Sequence, residues 1–122
     1  MAQFTKIEVP DTAPGIIHKF SVAGTEGYIN VTLDSGGMPI ALFITMAKEG
    51  STIGGFVDAF ARLVSISLQA GVPLELLCKK MRYLRFEPSG MTTNRQIPEA
   101  TSIVDYVFHW MEDMFTLQAN AA

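Results

Sequence analysis

Cysteine is nearly absent from this chain: Cys78 is the only one in 122 residues. A single thiol forms no internal disulfide and supplies at most one ligand of a tetrahedral zinc site. Charge is scarce too, at 17% of residues against a usual share of about a quarter. Disorder is excluded, because it requires low hydrophobicity with high net charge. Nine basic residues against twelve acidic ones leave a net charge of −3 and a pI near 5.2. No broad positive field exists to hold a polynucleotide, so nucleic acid is not an expected partner. No uninterrupted apolar run approaches the roughly 18 residues of a membrane span. The opening Met1-Ala2-Gln3-Phe4-Thr5-Lys6 lacks the apolar core of a signal peptide. The expected setting is therefore cytoplasmic, with no membrane contact.

What is abundant is apolar surface: 48% of residues are hydrophobic and seven are Met, and mean hydropathy is +0.26. A domain of this size buries only about two-thirds of its unfolded surface. The remainder is expected to meet another chain, most simply a second copy, and a homodimer is the expectation.

Residues 1–16 carry Pro10 and Pro14 without sustained periodicity and read as a flexible arm. Residues 17–117 read as one domain and 118–122 as a frayed tail. From His18 onward the pattern is β-like: Phe20 and Val22 alternate with Lys19 and Ser21, and Gly24-Thr25-Glu26-Gly27 makes a turn. Ile29, Val31 and Leu33 then alternate with Tyr28, Asn30 and Thr32, a half-buried strand. Asp34-Ser35-Gly36-Gly37 is a hairpin signal. The strand Ile40 to Met46 is apolar on both faces, which places it centrally or at an interface. A homodimer that covers the second face of the sheet follows from that strand.

The period changes after Lys48-Glu49-Gly50. Ile53, Phe56, Val57, Phe60, Val64, Ser67 and Leu68 recur at helical spacing, with Asp58, Arg62, Ser65 and Gln69 on the opposite face. Ser51 is the expected N-cap, and Gly71 ends the helix. Pro73 opens a short helix with the stripe Leu74, Leu77, Cys78 and Met81. A polar loop runs from Glu87 to Gln96, and Pro98 starts a third helix that buries Ile103, Tyr106, Val107, Trp110, Met114 and Leu117. Strands first and helices after define an α+β fold: a small antiparallel three-stranded sheet, then two long helices and one short one, packed on one face of the sheet.

Two segments carry candidate chemistry. At Lys48, Gly50, Ser51 and Thr52 a strand passes into a helix, where unpaired N–H groups and the helix dipole favour an anion. The order is not that of a Walker A loop, and ordinary capping and close packing explain the same residues. In the second segment, Lys79, Lys80, Arg82 and Arg85 place four of the nine basic residues within seven positions, with Tyr83 and Phe86 interleaved. Such a set stacks and pairs with single-stranded nucleic acid. It also describes long cations that shield apolar surface at a helix C-terminus, and the net negative charge favours that plainer reading. Arg82 and Arg85, folded back over the Lys48 junction, would complete a phosphate or nucleotide site. His18 and His109 lack metal-ligand spacing, and Cys78 reads as a buried hydrophobe. Glu87, Asp105 and Glu112 are scattered acids. No catalytic residue, metal or cofactor is assigned.

The blocks His18–Ile29, Phe43–Thr52, Leu68–Glu75, Arg85-Phe86-Glu87-Pro88-Ser89-Gly90-Met91-Thr92 and Ser102–Phe108 resemble, in order and spacing, the C-terminal TSCPD domain of adenosylcobalamin-dependent (class II) ribonucleotide reductases. In those enzymes the domain follows a large barrel that holds the radical cysteine, the substrate site and the cobalamin site. None of these is expected here, and the chain has no Cys-x-x-Cys to deliver electrons. The resemblance implies a role in deoxyribonucleotide metabolism as a non-catalytic, free-standing accessory domain, with a reductase subunit as partner and protein–protein contact as the mode of action. A small nucleotide- or phosphate-binding module and an oligomeric scaffold without ligand are the alternatives.

Overall fold

Alternation of apolar and polar residues produces three strands in succession: β1 (Gly15–Val22), β2 (Thr25–Leu33) and β3 (Pro39–Met46). They form one antiparallel sheet in the order β1-β2-β3. The structure, a computed structural model, describes residues 6–116. The first five residues of the arm, Leu117 and the tail 118–122 lie outside the described residues. Phe20, Val22, Ile29, Val31, Ile40, Leu42 and Ile44 are buried on one sheet face. The β2–β3 turn forms as its composition predicts. Asp34 accepts from the N–H groups of Gly36 and Met38 at 2.8 and 2.9 Å, and Gly37 takes a φ of 83°.

The chain packs as two compact units, one of residues up to 18 with 28–73, the other of 19–27 with the residues from 74 onward. In the first, β3 lies at the sheet edge and β2 in the middle, which corrects a central placement of β3. The apolar character of β3 has another cause: the helix α1 (Ser51–Gln69) packs along it. Ser65 Oγ accepts from Leu42 N–H at 2.8 Å, and Gln69 Nε2 donates to Ile40 O at 3.1 Å. The free edge of β3 is thereby satisfied by side chains of a helix rather than by a fourth strand. Because Ser65 and Gln69 must face the strand, the helix is rotated from the orientation that hydropathy alone suggests. Ala61, Val64 and Leu68 are its buried residues, while Ile53 and Phe56 are exposed. Gly50, in extended backbone, is the N-cap and makes no side-chain cap bond, so Ser51 is the first helical residue and not the cap. By length and composition α1 is also apolar enough to cross a membrane. Its Asp58–Arg62 pair at 2.9 Å and its bonds to β3 are those of a helix packed on a sheet.

The second unit contains α2 (Leu74–Met81), the two-stranded ribbon β4 (Gly90–Met91) and β5 (Glu99–Ala100), and α3 (Ile103–Met111), followed by a π-helical turn (Glu112–Thr116). Pro98 does not start the third helix. Its carbonyl accepts from Thr92 N–H at 3.0 Å, and the next two residues pair with β4, Gly90 opposite Ala100 and Met91 opposite Glu99. The helix begins five residues later at Ile103 and is capped by Ser102, whose hydroxyl accepts from Asp105 N–H. One long helix and two short ones result, where two long and one short are expected from periodicity. Phe20 stacks on Tyr106 with ring centroids 5.3 Å apart, and Trp110 meets Phe115 edge to face at 6.1 Å. Tyr106, Val107, Phe108 and Met111 are wholly buried, and the fold is α+β.

Candidate functional site

The densest polar arrangement among the described residues is centred on Asp105, in the first turn of α3 and only 3% exposed. One carboxylate oxygen accepts from Tyr83 N–H at 2.7 Å and from Arg82 Nε at 3.3 Å. The other accepts from Thr101 N–H at 3.0 Å. Burial pushes this carboxyl up. The two backbone N–H groups and the Arg82 guanidinium outweigh burial and hold it below its ordinary value. Arg82 also reaches Glu112 Oε1 at 3.5 Å and the Tyr83 hydroxyl at 3.2 Å, and lies over the Tyr83 ring at 4.6 Å.

This centre fixes the segment between α2 and α3. Tyr83 takes a φ of 68°, a left-handed conformation that a bulky residue rarely adopts, and its bond to Asp105 holds it there. Thr101 Oγ1 donates to Leu84 O at 2.9 Å, and Phe86 N–H donates to Thr101 O at 3.1 Å. Ser89 Oγ donates to Ala100 O at 3.3 Å. Thr92 Oγ1 donates to Ile97 O, and Asn94 Nδ2 donates to the Tyr106 hydroxyl at 3.1 Å. Gly90 has a φ of 152°, and a Cβ there would stand 3.3 Å from the Ala23 side chain, so only glycine closes this ribbon without displacement.

The pinned loop presents apolar and cationic groups outward. Tyr83 and Met91 are 72% and 73% exposed, and Leu84 and Phe86 about half exposed. Lys79, Lys80 and Arg85 are exposed beside them, and among the described residues Arg85 makes no ion pair. Arg85, Phe86, Glu87, Pro88, Ser89 and Ala23 line an open groove of about 510 Å³.

The six residues proposed from the sequence as an anion site are divided between the units. Lys48, Gly50, Ser51 and Thr52 belong to the first; Arg82 and Arg85 belong to the second. Arg82 is engaged by Asp105 and Glu112, and Lys48 sits at a positive φ of 62°. Asp105 reads as one scattered acid in the sequence, although it organises the loop. Its signal is the spacing Ser102-x-x-Asp105, a capping pattern that also marks where α3 starts. Cys78 is buried in α2 with its Sγ 3.6 Å from Phe108 O. Burial, and then the Glu112 charge, push its thiol up to about 12, so little of it is nucleophilic thiolate near neutrality. His109 stands 3.6 Å from Asp113, and burial lowers the pKa of His18.

A loop marked by Arg85-Phe86-Glu87-Pro88-Ser89-Gly90-Met91, held by an acid on the following helix in a small α+β chain, is the structural class defined by these observations. The chain belongs to the TSCPD domain family, whose match covers residues 4–115. It is 52% identical over 103 residues to the vitamin B12-dependent ribonucleotide reductase of Rhodopirellula baltica, covering 84% of this chain and 10% of that protein. The enzyme of the same name from Streptomyces avermitilis is 44% identical over 100 residues, covering 82% and 10%. That from Streptantibioticus cattleyicolor is 43% identical over 100 residues, covering 82% and 17%. The chain thus spans between a tenth and a sixth of the length of these relatives. No solved structure matches it. A second groove, of about 690 Å³, lies beside α1, with Phe43, Asp58, Arg62 and Ile66 facing Val9 and Pro10 of the arm.

Proposed function

We propose that this chain is a non-catalytic accessory domain of a vitamin B12-dependent ribonucleotide reductase, placed with that enzyme in the cytoplasm and acting by protein–protein contact. The observation that carries this reading is the loop from Tyr83 to Met91. It exposes Tyr83, Arg85, Phe86 and Met91, with Arg85 in no ion pair among the described residues, while Asp105 fixes its backbone. Rigid aromatic and Arg anchors on a preordered loop are what interface hot spots are made of, because little entropy is lost on docking. Membership of the TSCPD family, and the likeness to B12-dependent reductases, is what favours a reductase as the partner. The test is binding, by biolayer interferometry, to a purified B12-dependent reductase from which the matching segment has been removed. Binding in the micromolar range or tighter is expected, weakened at least tenfold by Arg85→Glu or Phe86→Ala. Absence of binding, or equal binding by all three proteins, would overturn the reading.

A second reading, a small phosphate- or nucleotide-binding module, rests on one observation: α1 begins at Gly50 with no side-chain cap and no acidic residue in its first turn. An anion would complement those N–H groups. It predicts that phosphate or a deoxynucleoside triphosphate raises the melting temperature of the wild type and does so less for Lys48→Ala.

A further inference from the structure

The helix α1 has two apolar faces, and among the described residues only one of them is buried. Ala61, Val64 and Leu68 are buried in the unit. On the opposite side Thr52, Phe56, Ala59, Leu63 and Ile66 follow one another at spacings of four, three, four and three, the repeat of a two-helix seam. Phe56, Leu63 and Ile66 are 76%, 64% and 58% exposed, and Ile53 beside them is 51% exposed.

We infer that this face of α1 is a self-association surface whose occupant is the same helix of a second copy, running antiparallel about a two-fold axis near residue 60. Area supports a second copy. The exposed parts of the four large side chains amount to roughly 500 Å² per copy and about 1,000 Å² for a pair, the lower bound of a specific interface and the range of a weak, concentration-dependent dimer. An exposed patch of that extent is also at the upper end of what a lone soluble domain carries. Charge supports the orientation. Asp58 and Arg62 flank the stripe on one side and pair within their own helix at 2.9 Å. An antiparallel two-fold sets like flank against like flank, so each copy's Asp58 lies beside the other's Arg62, while a parallel pair would separate them. Ala59, close to the axis, lets the helices approach closely. The stripe is apolar and its flanking Asp58 and Arg62 meet as opposite charges across the two-fold, as an isologous contact requires, with Val9, Pro10 and Asp11 of the arm bordering the same flank across a groove. The inference is independent of the reductase contact, which uses the loop of the other unit.

The test is sedimentation velocity of the 122-residue chain from 1 to 200 μM, with circular dichroism on every variant. The wild type should sediment as a dimer in the upper part of that range. Leu63→Glu and Phe56→Glu, substitutions at exposed positions that leave the helix intact, should be monomeric. Association should weaken roughly a thousandfold, because each change enters a two-fold interface twice. Asp58→Arg should weaken the dimer and the exchange Asp58→Arg with Arg62→Asp should restore it. A folded wild type that stays monomeric at 200 μM overturns the inference and leaves the stripe to a different protein. A dimer indifferent to Leu63→Glu overturns it as well, by placing the contact elsewhere.

Discussion

Asp105 shows how one buried charge is made tolerable. Its two oxygens accept two backbone N–H groups and one guanidinium, so the ion is solvated by the protein instead of by water. Removal of the charge leaves the largely covered Arg82 guanidinium with Glu112 as its one acidic partner among the described residues, and Asp105→Asn is expected to cost about 2–4 kcal/mol in urea denaturation. The pH dependence has a definite sign. The folded carboxyl lies below its ordinary value of 3.8, so the unfolded state binds the proton more readily. The stabilisation is complete above the unfolded value and is lost as pH falls through the lower folded one. Stability measured from pH 6 down to pH 2 should fall below about pH 4, and the Asn variant should fall less over that window. Cys78 makes a second residue-level prediction. With its thiol pushed up to about 12 and its side chain buried, it should not react with a thiol reagent at pH 8 in the folded protein. Full reaction in denaturant should follow; prompt labelling of the native chain would contradict the packing of α2 on α3.

The element that departs most from simple patterning is α1. Its two polar residues Ser65 and Gln69 face inward because the edge of β3 offers backbone groups that need partners. Ser65→Ala removes the acceptor of Leu42 N–H and is expected to destabilise by about 1–2 kcal/mol. The first turns of the helix offer the opposite opportunity. Gly54 and Gly55 are helical, and a Cβ at either position meets no atom within 4 Å. Gly54→Ala and Gly55→Ala should each stabilise by about 0.5–1 kcal/mol, since alanine loses less backbone entropy on entering a helix. Thermal denaturation checks both, and a loss of stability in either alanine variant would mean that those turns need their glycines for contact rather than for conformation.

At the scale of the molecule, the contact surface proposed for the loop and the bonds that hold that loop fall on different residues. Phe86 and Arg85 project from a loop whose backbone is held by Thr101 and Asp105. Their substitution should change the unfolding free energy by no more than about 0.5 kcal/mol while reductase binding weakens; a large stability loss in Phe86→Ala would make the side chain a packing element. The sequence by itself determined the α+β class, the three-strand meander, the Asp34 turn, the position of α1 and α2, and family membership. Each rests on local periodicity, turn chemistry or ordered motifs, which operate between neighbours in the chain. Tertiary structure alone decided that β3 is an edge, that α1 turns Ser65 inward and Phe56 outward, and that Glu99 and Ala100 leave a helical pattern to pair with Gly90 and Met91. It also decided that Asp105 is the anchor of the loop. In all four cases the deciding contact joins residues distant in sequence or satisfies a backbone group, and a backbone group looks the same in every residue until the fold shows which ones lack a partner.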